Sequence, residues 1–343
     1  MLSAMQWDPT QFFRDPKPLV PFALLVLNQP INERAFAVLR KHACYIVCAD
    51  GGSNRYYDLM KAHGRESVDL PNAIIGDLDS IHPHVRTHYA NLAVSIIHDP
   101  DQYSTDFTKC LKYLRYNAST IVSLASTTSS SSTPLASAAA VSAANARDEQ
   151  EQEDIEAEAT GRGGGGGCAA PPTRLDVVIL GGLGGRVDQA FSQIHHLYAM
   201  SQSSSESPGD LYLVSEESIS FVLQKGKNTI HTPGARRHPQ PHSSHQDPDE
   251  EEKYYLEENI GILPIAGPAV ITTHGFEWDV RDWRTEMGGQ ISTSNHIRAD
   301  VVGVETTVPV LFTAELAGRF KWRSSSPSSS SSSSCSGGEK GRC

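Results

Sequence analysis

Five apolar runs recur in the first two hundred residues, each broken by a turn rich in Gly, Asp or Asn, and four of them hand over to a segment with helical spacing. "PFALLVLNQP", Pro21 to Pro30, precedes "NERAFAVLRKHA", and "CYIVCADGGSNRYYDLM" repeats the plan. "NAIIGDLDSI" is a third run, "LAVSIIHDPDQYSTDFTKCLKYL" a fourth with its helix, and "RLDVVILGGLGGRVDQAFSQIHHLYAM" a fifth. Strands that are apolar throughout, alternating with helices, predict an α/β parallel sheet, Rossmann-like and covered on both faces. This α/β domain is expected over 18–203.

The pattern changes after "SQSSSESPGD". "LYLVSEESISFVLQ", "IGILPIAGPAVITTHGFEWDV" and "GGQISTSNHIRADVVGVETTVPVLFTAEL" are short β-rich runs between Gly, Pro and Ser-Asn turns, with no convincing helix. They predict an all-β sandwich over 210–320. Hydrophobic residues make up only 38% of the 343, and the deficit is concentrated in tracts that bury too little apolar area to offset ordering entropy. A Ser/Ala, acidic and then Gly tract over about 126–172 reads as a disordered insertion in a surface loop. A second insertion is expected over about 231–258, and a Ser-rich tail over 324–343. The histidines of the second insertion, His231, His238, His242 and His245, sit among Pro, Arg and acidic residues with nothing to fix them, and no metal site is expected there.

Lys and Arg number 29 against 40 Asp and Glu, a formal charge of -11. Long-range electrostatics therefore disfavour a non-specific nucleic-acid or anionic-membrane surface. No run is long enough to span a bilayer, and the start lacks the basic-then-apolar order of a secretory signal, so a soluble, cytoplasmic protein is expected. The six Cys form no CxxC pair. Cys44 and Cys48 read as a buried, reduced pair without chemistry.

Four turns that follow apolar strands carry acids or glycines: "ADGGSN" with Asp50, "GDLDS" with Asp77 and Asp79, "DPDQYSTDFTK" with Asp99, Asp101, Asp106 and Lys109, and "GGLGGRVDQ" with Arg186 and Asp188. In an open parallel sheet all four lie at the carboxyl edge, where ligands bind. Singly, each has an ordinary explanation. Asp50 would cap the helix that begins near Asn54, Asp106 would be a first-turn carboxylate, Asp77 and Asp79 would be turn formers, and Lys109 an exposed helical lysine. Together they bring at least five carboxylates close enough to repel, which suits Mg2+ with bound phosphates. "GGLGGR" is not the dinucleotide fingerprint, and "QKGKNT" is not a Walker A loop. What remains is a Gly-rich turn opening a helix, with N–H groups for a phosphate and a guanidinium, Arg186, to fork onto its oxygens.

"DGGSN", "GDLDSI", "DQYSTDFTKCLKYL", "GGLGGRVDQ" and "ISTSNHI" resemble the thiamine pyrophosphokinase family in order, spacing and the half of the chain in which each falls. The resemblance implies a homodimer with active sites at the subunit interface, and transfer of diphosphate from ATP to thiamine with release of AMP. It implies Mg2+ ligands at Asp77, Asp79 and Asp106, with Asp50 near the metal and phosphates, and Arg186 and Asp188 around the nucleotide phosphates. ATP contacts are further implied at Gly51, Gly52, Asn54, Asp101, Thr105, Lys109, Gly182, Gly185 and Gln189. Ser292, Ser294 and Asn295 would hold thiamine, with Trp278 either stacked on a thiamine ring or part of the core. Asp79 and Asp106 are both candidates to take the proton of the attacking alcohol. Two other readings stay open: another Mg2+-dependent phosphoryl transferase, and a non-catalytic thiamine or nucleotide sensor.

Overall fold

The computed structural model describes residues 4–128, 174–202, 209–236 and 253–322. Most of both expected insertions, with His238, His242 and His245, and the whole 324–343 tail, lie outside the described residues. The chain opens with a strand that no sequence pattern indicated, β1 (Met5–Trp7), followed by a 3-10 turn, Gln11–Phe13. Then come β2 (Phe22–Val26), α1 (Glu33–His42), β3 (Tyr45–Ala49), α2 (Gly52–Ala62), β4 (Ala73–Gly76), α3 (Pro83–Asn91), β5 (Ser95–His98), α4 (Asp106–Tyr116), α5 (Ala118–Thr128), β6 (Asp176–Leu180) and α6 (Val187–Gln202). The second half adds β7 (Leu211–Val214), β8 (Ser218–Leu223), β9 (Gly226–His231), β10 (Leu256–Leu263), β11 (Ala269–His274), β12 (Trp283–Thr285), β13 (Ser292–His296), β14 (Val301–Thr306) and β15 (Val310–Leu316).

Local chemistry accounts for the helix boundaries. Asn32 caps α1 by accepting the Ala35 N–H at 3.2 Å, and Arg40, Lys41 and His42 complement the dipole at its far end. Thr105 caps α4 by accepting the Thr108 N–H. Pro83 opens α3, where a missing N–H costs nothing. Two of these elements depart from the sequence reading. Helix α3 buries only Val85 and Tyr89, a pattern too thin to stand out, and residues 126–128, expected at the start of the first insertion, belong to helix α5.

Ten strands form one sheet in the order β13-β10-β15-β8-β7-β6-β2-β3-β4-β5. From β7 to β5 the pairs are parallel, and from β7 to β13 they are antiparallel. The two halves of the chain therefore share a sheet, and β7, expected in the sandwich, extends the parallel half. One face carries Leu24, Val26, Ile46, Cys48 and Ile74 against α1, α2 and α3; the same apolar layer then continues between the two sheets of the β half through Phe221, Ile260, Ile271 and Phe312. The other face packs Leu25, Val47, Ile75 and Ile179 against Phe107, Leu114, Ile121 and Leu197 of α4, α5 and α6. Each fully buried Leu or Ile contributes roughly 1.5–3 kcal/mol. The thiols of Cys44, Cys48 and Cys110 are buried and unpaired, as a reduced core requires, and burial pushes that of Cys44 up to about 11.

A second sheet, β1-β9-β14-β11-β12, completes the sandwich and includes the N-terminal strand, parallel to β9. Trp7 stacks on Phe221 at 5.1 Å and donates its indole N–H to Asn228 Oδ1 at 3.0 Å. His231, expected in an insertion, is in β9 with its ring 2.9 Å from Gln6 Oε1, and Leu256–Glu258, also expected there, belong to β10. No helix among the described residues is long and apolar enough to cross a membrane.

At the amino edge of the parallel strands Asp176 and Asp210 share Arg174: Asp176 Oδ1 accepts from Arg174 Nε at 3.1 Å and from the Asp210 N–H at 2.9 Å, while its Oδ2 is buried without a partner. Burial, with the Asp210 charge beside it, pushes the Asp176 carboxyl up to about 6. A carboxyl raised in the folded state binds more protons there than in the unfolded chain. Its stabilising contribution is complete below about pH 4 and is lost as pH rises through about 6, a loss of up to roughly 3 kcal/mol. Asp176→Asn should therefore gain stability relative to the parent between pH 4 and pH 7 in urea unfolding; equal pH dependence in the two proteins would contradict this.

Candidate active site

The carboxyl ends of β3, β4 and β5 gather the charged residues. Asp50, fully buried after β3, sits at φ 36°, a left-handed conformation that a non-glycine residue holds at a cost typical of functional turns. It does not cap α2. Its carboxylate instead accepts the N–H groups of Ser80 and Ile81, both at 2.9 Å, and so ties the β3 turn to the β4 turn. Asn54 adds to the tie: its amide donates to Ser80 O at 2.9 Å and accepts the His82 N–H at 2.9 Å.

Asp50, Asp77 and Asp106 each present a carboxylate oxygen, and these atoms all lie within 4.8 Å of one another. Asp79 lies outside this group. Leu78 between the two aspartates adopts a left-handed turn at φ 63°, and Asp79 faces solvent with its Oδ1 accepting from Ser80 Oγ at 2.7 Å, which holds its carboxyl below the usual range. Asp106 opens α4, and its Oδ1 accepts the Asp77 N–H at 3.3 Å and Lys109 Nζ at 3.2 Å. Burial raises the carboxyls of both Asp50 and Asp106. Lys109 is buried rather than exposed, with its Nζ also 3.9 Å from Asp77 Oδ2.

Three buried or half-buried carboxylates, two at strand ends and one opening α4, make a set of hard oxygen donors that could hold a divalent cation. Gly76 makes room for them. A Cβ there would lie 2.7 Å from Asp50 Cβ and 2.9 Å from Asp106 Oδ1.

A cleft of about 180 Å3 adjoins the acids, lined by Asn28, Gln29, Thr105, Asp106, Gly182 and Gln189 among others. It opens where β2 and β6 diverge into helices on opposite faces, the switch point of the sheet. Gly51 also lines it, and a Cβ there would strike the Asn28 side chain at 2.4 Å; one on Gly52 would lie 2.3 Å from Val26 O. Gly181, Gly184 and Gly185 hold positive φ in the turn before α6, and a Cβ on Gly185 would lie 2.8 Å from Gln29 Oε1. Arg186 grips Asp188 with two hydrogen bonds, 2.6 and 3.1 Å, and both side chains are exposed beyond the cleft lining. Asp101 is spent on its own loop, accepting the Tyr103 N–H. Asn28 and Gln29 were not singled out in the sequence because uncharged turn residues look the same whether or not they line a site.

The "ISTSN" segment is elsewhere. Asn295 is buried and holds the loop of Trp278 by accepting its N–H at 3.1 Å and donating to its carbonyl at 3.0 Å. Trp278 is 57% exposed, 4.9 Å from the His296 ring, and is not core. Ser294 is exposed at φ 63°, and Ser292 half-buried. Strand β13 is an edge of the ten-stranded sheet, seven strand-to-strand steps from β3, which is roughly 30 Å at about 4.8 Å per step.

A family model described as the catalytic domain of thiamin pyrophosphokinase matches residues 36–207, and one described as its vitamin B1 binding domain matches residues 245–311. The chain belongs to the thiamin pyrophosphokinase family. It is 29% identical over 284 residues to thiamine pyrophosphokinase of Saccharomyces cerevisiae, covering 81% of this chain and 79% of that one. It is 28% identical to thiamine pyrophosphokinase 2 of Arabidopsis thaliana, covering 86% of each. Among solved structures, thiamin pyrophosphokinase from Candida albicans superposes with a TM-score of 0.65 at 26% identity, covering 91% of this chain and 93% of that one. The yeast enzyme gives 0.64 at 27%, covering 91% of each. The family match spans both halves of this chain, with Asp50, Asp77 and Asp106 in one model and Trp278 and Asn295 in the other.

Gly76→Ala tests the geometry of the acids. Displacing Asp106 by about an ångström should lower turnover on the order of 10²-fold while cooperative unfolding persists; an alanine variant with parental turnover would show that the close approach is irrelevant.

Proposed function

We propose that this chain, a thiamine diphosphokinase, transfers diphosphate from ATP to thiamine with Mg2+ held by Asp50, Asp77 and Asp106, and that each active site is completed by a second copy. The observation that carries this is the set of three carboxylate oxygens within 4.8 Å of one another at the switch-point cleft, in the segment matched by the catalytic-domain model. The primary alcohol of thiamine attacks the β-phosphorus of ATP, a P–O bond forms there, and the bond to the bridging α-phosphate oxygen breaks to release AMP. Mg2+, when bound, neutralises charge on the phosphate oxygens. The chain's own part is mostly positioning. The positive-φ turn from Gly181 to Gly185 leaves room for phosphates in front of α6, and Arg186 is near enough in sequence to exchange Asp188 for a phosphate oxygen. Of the two candidates for the alcohol's proton, Asp106 carries the raised carboxyl but is engaged by Lys109 and the Asp77 N–H, whereas Asp79 is exposed and outside the cluster but held below the usual carboxylate range.

The seven strand steps between β13 and β3 support a shared site, because they set Asn295 and the Trp278 loop it holds far along the sheet from the acids of the same chain. Exposed apolar side chains accompany both regions: Trp278, Met287 and Ile291 around β13, and Tyr103, Val187 and Phe191 around the cleft.

Incubation with Mg-ATP and thiamine should yield thiamine diphosphate in step with AMP; thiamine monophosphate with ADP would overturn the position of attack. Asp77→Asn and Asp106→Asn should each lose turnover by orders of magnitude at saturating Mg2+. Mixing Asp77→Asn with Trp278→Ala after subunit exchange should recover about a quarter of parental activity, since half the dimers are mixed and each has one intact site. Recovery of none would place the whole site in one chain.

A further inference from the structure

We infer that Lys109 is a positioning residue that acts as a built-in counter-ion of the acidic cluster. This rests on the reading of Asp50, Asp77 and Asp106 as the metal ligands. Its side chain is 1% exposed, with Nζ 3.2 Å from Asp106 Oδ1 and 3.9 Å from Asp77 Oδ2. The placement is unfavourable on two counts unless those carboxylates are its reason. A buried ammonium carries a desolvation cost that only paired charges offset, and a cation in the first turn of a helix opposes the macrodipole. Lys109 lies in the first turn of α4. It shares a helix face with Asp106, three residues before it.

The charge count gives the lysine its function. Three ionised carboxylates within 4.8 Å of one another repel strongly when no cation is bound, and a turn built on them would splay. With Lys109 the net charge of the group is two negative, the charge that one divalent cation neutralises. The ammonium occupies Asp106 Oδ1 together with the Asp77 N–H, so the carboxylate is held in one orientation with its other oxygen free. Lys109 thus keeps the ligands assembled between turnovers, pointing inward to the acids rather than outward to a phosphate.

The test uses thermal unfolding of the full chain with Mg2+ alone as the probe, comparing the parent with Lys109→Met, which keeps the length and apolar stem. Without divalent cation the variant should melt at least about 5 °C lower, and saturating Mg2+ should raise its midpoint by several degrees more than it raises the parent's. The second arm needs no metal: Asp106→Asn in the Lys109→Met background restores the net charge and should melt above Lys109→Met alone, or fold where that variant does not. Loss of packing by the lysine stem would not produce that rescue. If Mg2+ stabilises the parent but the variant's gain is no larger, or the double variant shows no rescue, the counter-ion assignment is wrong while the metal site stands. If Mg2+ stabilises neither protein, the metal reading fails, and the double variant still decides the role of Lys109. Unchanged melting with a raised KM for ATP would put the ammonium on a phosphate and overturn the proposal.

Discussion

Mutual repulsion among three carboxylates is the constraint around which this fold is arranged. Asp50, Asp77 and Asp106 come from three separate turns, and nothing in local propensity would bring them together. What does so is a set of compensations at the strand ends: N–H groups of Ser80 and Ile81 on Asp50, the Asp77 N–H and Lys109 on Asp106, and a strand-terminal Gly76 that leaves the volume open. Two non-glycine residues, Asp50 and Leu78, accept left-handed backbone to make the turns possible. Strain of this kind persists only where the surroundings over-determine it, and here the surroundings are a parallel sheet buried on both faces.

The same sheet carries both halves of the chain without dividing. Its parallel part ends in turns that hold charge, and its antiparallel part ends at β13, where Asn295 spends its amide on the Trp278 loop. One hydrophobic layer backs both parts, running from Leu24 and Ile46 through to Phe312. The acid-bearing turns and the Trp278 loop therefore belong to opposite parts of one continuous sheet.

Much of this was legible in the sequence, for identifiable reasons. The strands β3, β4 and β6 are buried on both faces and read as unbroken apolar runs, and acid-bearing turns follow them because ligand chemistry at a parallel sheet belongs at that edge. What was missed depends on long-range partners. Strand β1 has only three residues and pairs with residues 228–230, so no window of local sequence contains its reason for being extended. Sharing of one sheet by the two halves depends on β7 pairing forward with β6 and backward with β8, which periodicity does not encode. Lys109 shows the same limit at the level of a side chain. Its helical spacing is compatible with solvent, and it is the approach of Asp77 from the turn after β4, beside Asp106 on its own helix, that explains why it is buried.

The described residues that flank 129–173 and 237–252 are held in the fold. Arg174 stands just before β6, at the amino edge of the sheet and opposite the acids. Beside 237–252, the Arg236 N–H donates to Leu256 O and the Tyr255 N–H to Gly234 O, so the flanking ends are clasped side by side. Once a loop's ends are fixed, each doubling of its length costs only about 0.6 kcal/mol. At the clasped ends Arg236 and Lys253, a reporter domain or an affinity handle inserted between them would therefore cost little in closure entropy.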